Sequence, residues 1–146
     1  TLRLGGTVDR IDAKDTTLRI VDYKTGGSPK TPANIEQLFT PSESRPNYIF
    51  QTFLYAAIMS RQQSLKVAPS LLYIHRAASE SYSPVIEMGE PRQPKIPVSN
   101  FAFFEDEFRE HLQRLLEEIF DKNEPFTQTE DTKKCAYCDF KAICKR

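Results

Sequence analysis

The sequence lacks a net charge, because 20 Lys and Arg residues balance 20 Asp and Glu residues. A chain without a net positive charge has no long-range field that steers it towards nucleic acid. Any binding of phosphate must therefore rest on local basic residues. Such residues are densest near the C-terminus, where a solvated tail explains them equally well: Lys133, Lys134, Lys141, Lys145 and Arg146.

Long apolar runs are also absent. No stretch approaches the roughly 20 apolar residues that cross a bilayer, and Thr1 leads into strand-like sequence without a secretory signal. We therefore expect a cytoplasmic protein with no membrane partner. The 146 residues and the hydrophobic content of 39% are typical of one globular domain over residues 1–146.

Cysteine is scarce, and its three copies lie close together in the tail over residues 133–146. An odd number of cysteines in a chain predicted to be intracellular argues against a disulfide framework. The grouping of Cys135, Cys138 and Cys144 instead indicates a metal or cluster site. A tetrahedral site needs four ligands, and neither His75 nor His111 is near the cysteines in sequence.

The hydrophobic periodicity predicts an α/β fold with a small mixed β-sheet flanked by helices. Strands are predicted over residues 2–11, 16–24, 70–76 and 81–88, with a turn at 13–15. Helices are predicted over residues 47–62 and 100–122, with one helical turn at 35–39. Prolines predict loops from Pro29 to Pro46 and from Pro91 to Pro97.

Two residues of the second predicted strand carry the chemistry. Asp22 and Lys24 are two positions apart, so both project from one face of the strand, just before Gly26. A hairpin would bring Asp9 close to Asp22. Two neighbouring carboxylates repel unless a cation lies between them, and Mg²⁺ or Mn²⁺ prefers oxygen ligands. Lys24 could then orient or deprotonate water, or hold the negative charge that develops on a phosphate.

The pair alone has a more ordinary interpretation. A carboxylate and an amine two residues apart are common on surface strands, where an exposed ion pair contributes under ~1 kcal/mol. The ordered set is more specific. It comprises Gly6-x-x-Asp9, a turn, the strand that ends in Asp22-Tyr23-Lys24, and a helix bearing Gln51 and Tyr55.

These motifs resemble the RecB-like nucleases of the PD-(D/E)XK superfamily, and most closely the AddB-type helicase-nuclease subunits. The resemblance covers nearly the whole chain and implies a restriction-endonuclease-like core. It places metal ligands on Asp9, on Asp22 and on the backbone carbonyl of Tyr23, and it makes Lys24 catalytic. It also implies that Gln51 and Tyr55 support the site and the DNA strand.

The cysteines resemble the last three ligands of the 4Fe–4S staple in AddB-type nucleases. Cys135, Cys138 and Cys144 match its Cys-x2-Cys-x5-Cys spacing. In that family the fourth cysteine lies far upstream, as does a helix that supplies a Glu or His near the metal. Neither precedes Asp9 here. We therefore expect a fragment of a longer protein, with the N-terminal helix missing and the cluster incomplete; zinc is the alternative occupant.

The resemblance implies a metal-dependent DNA exonuclease in double-strand break repair and recombination, acting with a helicase-nuclease partner subunit. Arg10 and Lys30 are predicted contacts to DNA phosphates. A non-catalytic module that binds nucleic acid or serves as a scaffold is the alternative, which the neutral charge favours. A restriction-type or CRISPR-adaptation nuclease with the same core is a third possibility. For the chain by itself, weak turnover or none is expected.

Overall fold

The computed structural model describes residues 2–62, 64–125 and 127–145 of the chain. The chain divides into two compact units, Thr1–Gln113 and Arg114–Arg146. The first unit contains both motifs of the predicted site, and the second contains the cysteines. That the whole chain acts as one nuclease-like domain stays a prediction.

A three-stranded mixed sheet lies at the centre of the first unit. Its strands β1 (Arg10–Lys14), β2 (Thr17–Lys24) and β3 (Lys66–Tyr73) are arranged in that order. β1 runs antiparallel to β2, and β3 runs parallel to it. Parallel neighbours need a long crossover, and here it carries helices α1 (Glu36–Phe39) and α2 (Asn47–Met59). The predicted mixed α/β fold is confirmed.

Helix α2 covers one face of this sheet. Its apolar residues recur at helical spacing, so Ile49, Phe53 and Ala56 are all buried on the side that contacts β2 and β3. Phe53 is fully buried, with its ring centroid 5.3 Å from that of Phe101 and 5.8 Å from that of Phe108. This aromatic cluster joins α2 to the later part of the first unit.

The elements between β3 and the long helix that follows are short. A 3-10 turn (Ile74–Arg76) is followed by a separate antiparallel pair, β4 (Glu87–Met88) and β5 (Ile96–Pro97). A second 3-10 turn (Phe101–Phe103) leads into α3 (Glu105–Phe120). None of the described helices is long and apolar enough to cross a membrane.

The second unit contains two single-turn helices that the sequence did not predict, α4 (Thr132–Cys135) and α5 (Lys141–Cys144). The Asp131 carboxylate caps α4 by accepting a hydrogen bond from the amide of Lys133 at 3.2 Å. The Gln128 side-chain amide donates to the carbonyl oxygen of Cys144 at 3.1 Å. The cysteine-bearing tail is therefore folded locally.

The first predicted strand is wrong for most of its length, since residues 2–9 lie outside any strand. The amide of Tyr23 donates to Asp9 Oδ2 at 2.8 Å. Because this side-chain carboxylate satisfies the amide, the upstream chain need not continue the ladder. β1 instead extends to Lys14, into the turn predicted at residues 13–15.

The third strand begins at Lys66 rather than at the predicted Ser70, and it includes Pro69. Proline has no N–H to donate, which argues against a central strand, but β3 lies at the edge of its sheet. The strand ends at Tyr73, because residues 74–76 turn into the 3-10 helix.

Four other predicted elements also differ. The strand predicted over residues 81–88 is reduced to β4 and one bridge between Ser70 and Val85, and the predicted proline loop contains β5. The second helix ends at Met59 instead of residue 62. The helix predicted over residues 100–122 divides, because the Asn100 side chain accepts a hydrogen bond from the Ala102 amide at 3.2 Å and starts a separate turn.

Candidate active site

The candidate site lies where the C-terminal end of β2 meets α2. Alternation along β2 turns Ile20 and Asp22 towards the helix, and both are buried, with Asp22 only 3% exposed. Lys24 is next on the same face, and its side chain is 14% exposed. A buried carboxylate is costly unless it is paired, so the charge of Asp22 needs a partner.

Lys24 is that partner. Its ammonium group forms an ion pair with Asp22 Oδ2. The same nitrogen donates to Gln51 Oε1 at 3.2 Å and lies 4.2 Å from the centroid of the Tyr48 ring. A carboxylate, an amide oxygen and an aromatic face therefore hold one cation, and this environment fixes the position of the ammonium group.

Gln51 extends the contact to Tyr55. The two residues are four positions apart on α2, so their side chains meet on one helical face, and Gln51 Nε2 donates to the Tyr55 hydroxyl at 3.0 Å. We call Lys24, Gln51 and Tyr55, in that order, the polar chain. It links the end of β2 to the middle of α2.

Gly6 lies against the end of this polar chain. A Cβ atom added at Gly6 would lie 2.8 Å from both Cε1 and the hydroxyl of Tyr55, closer than such atoms approach. Tyr55 is itself only 7% exposed. The residues before β1 thus pack on the site although they form no strand, and only glycine permits this approach.

Asp9 lies beside β2 on the side of β1. The register pairs Arg10 with Val21, so one further step would place Asp9 opposite Asp22. Asp9 is exposed, and its Oδ2 atom accepts the hydrogen bond from the Tyr23 amide. The second carboxylate is therefore tethered to the strand that carries the first.

The oxygen atoms of this site suit a hard divalent cation. Asp22 Oδ2 is buried and has no hydrogen-bond partner among the described residues, although Lys24 forms the ion pair with it. Asp9, Asp22 and the Tyr23 carbonyl together offer the oxygen donors that Mg²⁺ prefers, and Mg²⁺ usually keeps several waters. Within residues 2–62, 64–125 and 127–145, no three His, Cys, Asp or Glu side chains form a group that could hold a metal.

The two predicted phosphate contacts, Arg10 and Lys30, are not part of the polar chain. Arg10 pairs with Val21, one residue out of phase with Asp22, so it belongs to the opposite face of the sheet. A hydrogen bond with the Tyr23 side chain, and then the charge of Asp12, raise the pKa of Arg10. Lys30 donates to the carbonyl oxygen of Ser44 at 2.8 Å. Among the described residues, neither cation forms a hydrogen bond or ion pair with the polar chain.

The cysteines are not gathered into a site in the described part of the chain. Cys135 ends α4, Cys144 ends α5, and Cys138 lies between the two helices. All three thiols are free and half-buried. They do not form a group of three that could hold a metal among the described residues.

Two aromatic residues of the site were not predicted from the sequence. Tyr48 contacts the Lys24 ammonium group, and Tyr73 is the register partner of Lys24 on β3. Burial raises the pKa of Tyr73, and the charges of Tyr82, Tyr48 and Asp22 add to the effect. Tyr48 was detectable in principle, because it precedes Gln51 by one helical turn; the position of Tyr73 depends on the strand pairing.

The profile of the PD-(D/E)XK nuclease superfamily matches residues 1–145. The chain belongs to this superfamily, which supports a nuclease-type domain. Neither a curated protein nor a solved structure gave a match. The closer resemblance to RecB-like and AddB-type nucleases therefore stays a prediction.

Proposed function

We propose that this chain hydrolyses phosphodiester bonds in DNA with the help of Mg²⁺ or Mn²⁺. The observation that carries the proposal is the buried Asp22 carboxylate at the end of β2, which is held in an ion pair with Lys24. Asp9, Asp22 and the carbonyl oxygen of Tyr23 would hold the metal. When bound, the metal supplies Lewis acidity and activates water near neutral pH.

Lys24 acts on the charge of the phosphate. In hydrolysis a water oxygen forms a bond to phosphorus and gives up a proton, while the bond to the leaving sugar oxygen breaks and that oxygen takes up a proton. Negative charge grows on the phosphoryl oxygens in the transition state. An ammonium group that is already positioned by Gln51 and Tyr48 can donate to one of these oxygens without reorganising. Tyr55 acts through Gln51 and is a positioning residue.

The resemblance to RecB-like and AddB-type nucleases extends this proposal to a biological role. We propose exonuclease action on DNA in double-strand break repair and recombination, in the cytoplasm and with a helicase-nuclease partner subunit. The 146 residues would then be part of a longer protein in which Cys135, Cys138 and Cys144 hold a 4Fe–4S cluster together with a fourth cysteine. Zinc is the alternative occupant of these thiols.

A non-catalytic module that binds nucleic acid or serves as a scaffold is the second candidate. In its favour, no three metal-ligating side chains are grouped within the described ranges, and the net charge is zero. Against it, the buried Asp22 carboxylate is held in an ion pair with Lys24, which also donates to Gln51. A cleavage assay separates the two candidates.

Lys24→Ala is expected to lower the rate of DNA cleavage by about 10²–10³-fold, because it removes a positioned donor to the transition state. The assay measures the release of nucleotides from end-labelled single-stranded DNA with Mg²⁺ or Mn²⁺, on this chain and on the protein that contains it. Lys14→Ala, an exposed lysine of β1, is the matched control. Cleavage that persists in EDTA, or a fully active Lys24→Ala variant that is folded, would exclude the proposed mechanism.

Gly6→Ala is expected to reduce cleavage by roughly 10- to 100-fold, since the new methyl group must displace the Tyr55 ring and a small misplacement near the chemistry is costly. The matched control is Gly5→Ala, because a Cβ at Gly5 meets nothing within 4 Å. Both variants are compared by cleavage rate and by the NMR signals of Tyr55. Equal rates for the two variants would show that the position of Tyr55 does not matter.

A further inference from the structure

A cavity of about 270 Å³ opens at the N-terminal end of α2, beside the candidate active site. The two share Tyr48, which lines the cavity and also contacts the Lys24 ammonium group at 4.2 Å. Two basic residues, Lys30 and Arg45, line the cavity, and Glu43 is the single acidic residue among its lining residues. The walls therefore carry an excess of positive charge next to the site of cleavage.

Arg45 presents a buried donor at this cavity. Its Nε atom is buried and has no hydrogen-bond partner among the described residues. The guanidinium group lies over the ring of Phe50, with Cζ 5.4 Å from the centroid. Arg45 is only partly buried as a residue, so a bound anion could reach it and supply the acceptor that Nε lacks.

Lys30 is fixed at the same cavity by backbone groups. Its ammonium group donates to the carbonyl oxygens of Ser44 and Arg45, at 2.8 and 3.4 Å. These contacts use two of the three protons of the ammonium group and tie the segment after β2 to the segment before α2. The positive charge is thus positioned by the backbone.

The helix itself favours an anion at this end. α2 has 13 residues, no acidic residue in its first turn, and no side chain that caps it, because its N-cap residue is Pro46. The N-terminus of a helix carries a partial positive charge and orients N–H groups towards anions. No carboxylate of the first turn competes for the position.

We propose that this cavity binds a second phosphate group of the DNA substrate, in addition to the one that is cleaved. The inference rests on the proposed nuclease function and names where the substrate is held. The phosphate oxygens would accept hydrogen bonds from Arg45, with Lys30 and the positive end of α2 adding charge. The amides of Asn47, Ile49 and Phe50 already donate to backbone carbonyls. The phosphate is either an internal diester or the terminal monoester of a strand.

Arg45→Gln is expected to weaken the binding of a labelled single-stranded oligonucleotide by about tenfold or more, because it removes hydrogen bonds from a charged donor. It should also reduce the slope of log K against log salt by about 0.7, the value for one phosphate contact on a single strand. Fluorescence anisotropy in EDTA measures both without cleavage. Arg61→Gln is the matched control, because Arg61 is exposed just beyond the other end of α2.

A second variant keeps the test independent of folding. Asn47→Asp adds a carboxylate at the first residue of α2, within the cavity wall, where a negative charge stabilises the helix. The melting temperature should be unchanged or higher while oligonucleotide binding falls by at least as much as for Arg45→Gln. Normal binding and normal salt slopes for both folded variants would overturn the proposal.

To identify the phosphate, binding is compared for oligonucleotides that differ only in a 5′-phosphate, and for others that differ only in a 3′-phosphate. If Arg45→Gln weakens only the phosphorylated form, the cavity holds a terminal phosphate. If it weakens both forms equally, the cavity holds an internal diester. A cleavage assay keeps the two proposals separate. If the wild-type protein does not cleave DNA but Arg45→Gln still weakens binding, the nuclease function is removed and the phosphate site is retained.

Discussion

Asp22→Asn is expected to lower the rate of DNA cleavage by more than about 10³-fold. The substitution keeps the shape of the side chain but removes a metal-binding charge. Metal catalysis lowers the activation free energy by several kcal/mol, and about 1.4 kcal/mol corresponds to a tenfold change in rate. The matched control is Asp15→Asn. Asp15 lies in the turn between β1 and β2 with φ at 54°, a conformation that asparagine also accepts. Cleavage at the normal rate by folded Asp22→Asn would rule out the assigned site.

The fold of this variant needs its own measurement. Removing one partner of a buried ion pair costs about 3–5 kcal/mol, because the other charge stays buried without compensation. Here that charge is the Lys24 ammonium group, which Gln51 and Tyr48 still contact. Titration calorimetry with Mn²⁺ supplies the second readout. The wild-type chain should bind the ion and Asp22→Asn should not, whereas equal binding by both would place the metal elsewhere.

Phe53→Ala is expected to reduce the free energy of unfolding by about 3–5 kcal/mol. Phe53 is fully buried, and its ring contacts those of Phe101, Phe104 and Phe108. Truncation would leave a cavity between α2 and the elements that follow β5. Because α2 also carries Gln51, loss of this packing should loosen the active site as well. Urea denaturation followed by far-UV circular dichroism measures the change.

Phe103→Ala provides the matched control for packing. Phe103 is 83% exposed although it lies in the same short turn as buried Phe101, so its removal should change stability by no more than about 0.5 kcal/mol. A loss for Phe103→Ala similar to that for Phe53→Ala would mean that this cluster is not the core of the first unit.

The parts of the site that follow periodic patterns could be predicted from the sequence. Asp22 and Lys24 share a face because strand residues alternate, and Gln51 and Tyr55 meet because helical residues four apart are neighbours. Each inference needed only local geometry. The same reasoning gave the mixed sheet, since a hairpin followed by a helix and a strand has few compact arrangements.

The remaining parts depend on irregular segments, where spacing carries no such information. The contact of Gly6 with Tyr55 arises because the chain leaves the sheet at Asp9, which the alternation before it did not indicate. The cavity around Arg45 forms from the loop between α1 and α2, whose path follows from contacts made by Lys30. The start of β3 was not predicted because it contains Pro69. Proline cannot donate to a strand ladder and is tolerated only at a sheet edge, and the sequence does not show which strand lies at an edge.

The unequal anchoring of the two carboxylates has a consequence for how the protein responds to its ligand. Asp22 belongs to β2, which is paired with a strand on each side. The Asp9 carboxylate lies outside the strands and accepts a hydrogen bond from the Tyr23 amide. Amide protons of β2 should therefore exchange slowly and those of residues 2–8 quickly. A cation that binds both carboxylates and draws Asp9 away from Tyr23 would break this hydrogen bond. The NMR signal of the Tyr23 N–H should therefore shift when the cation binds.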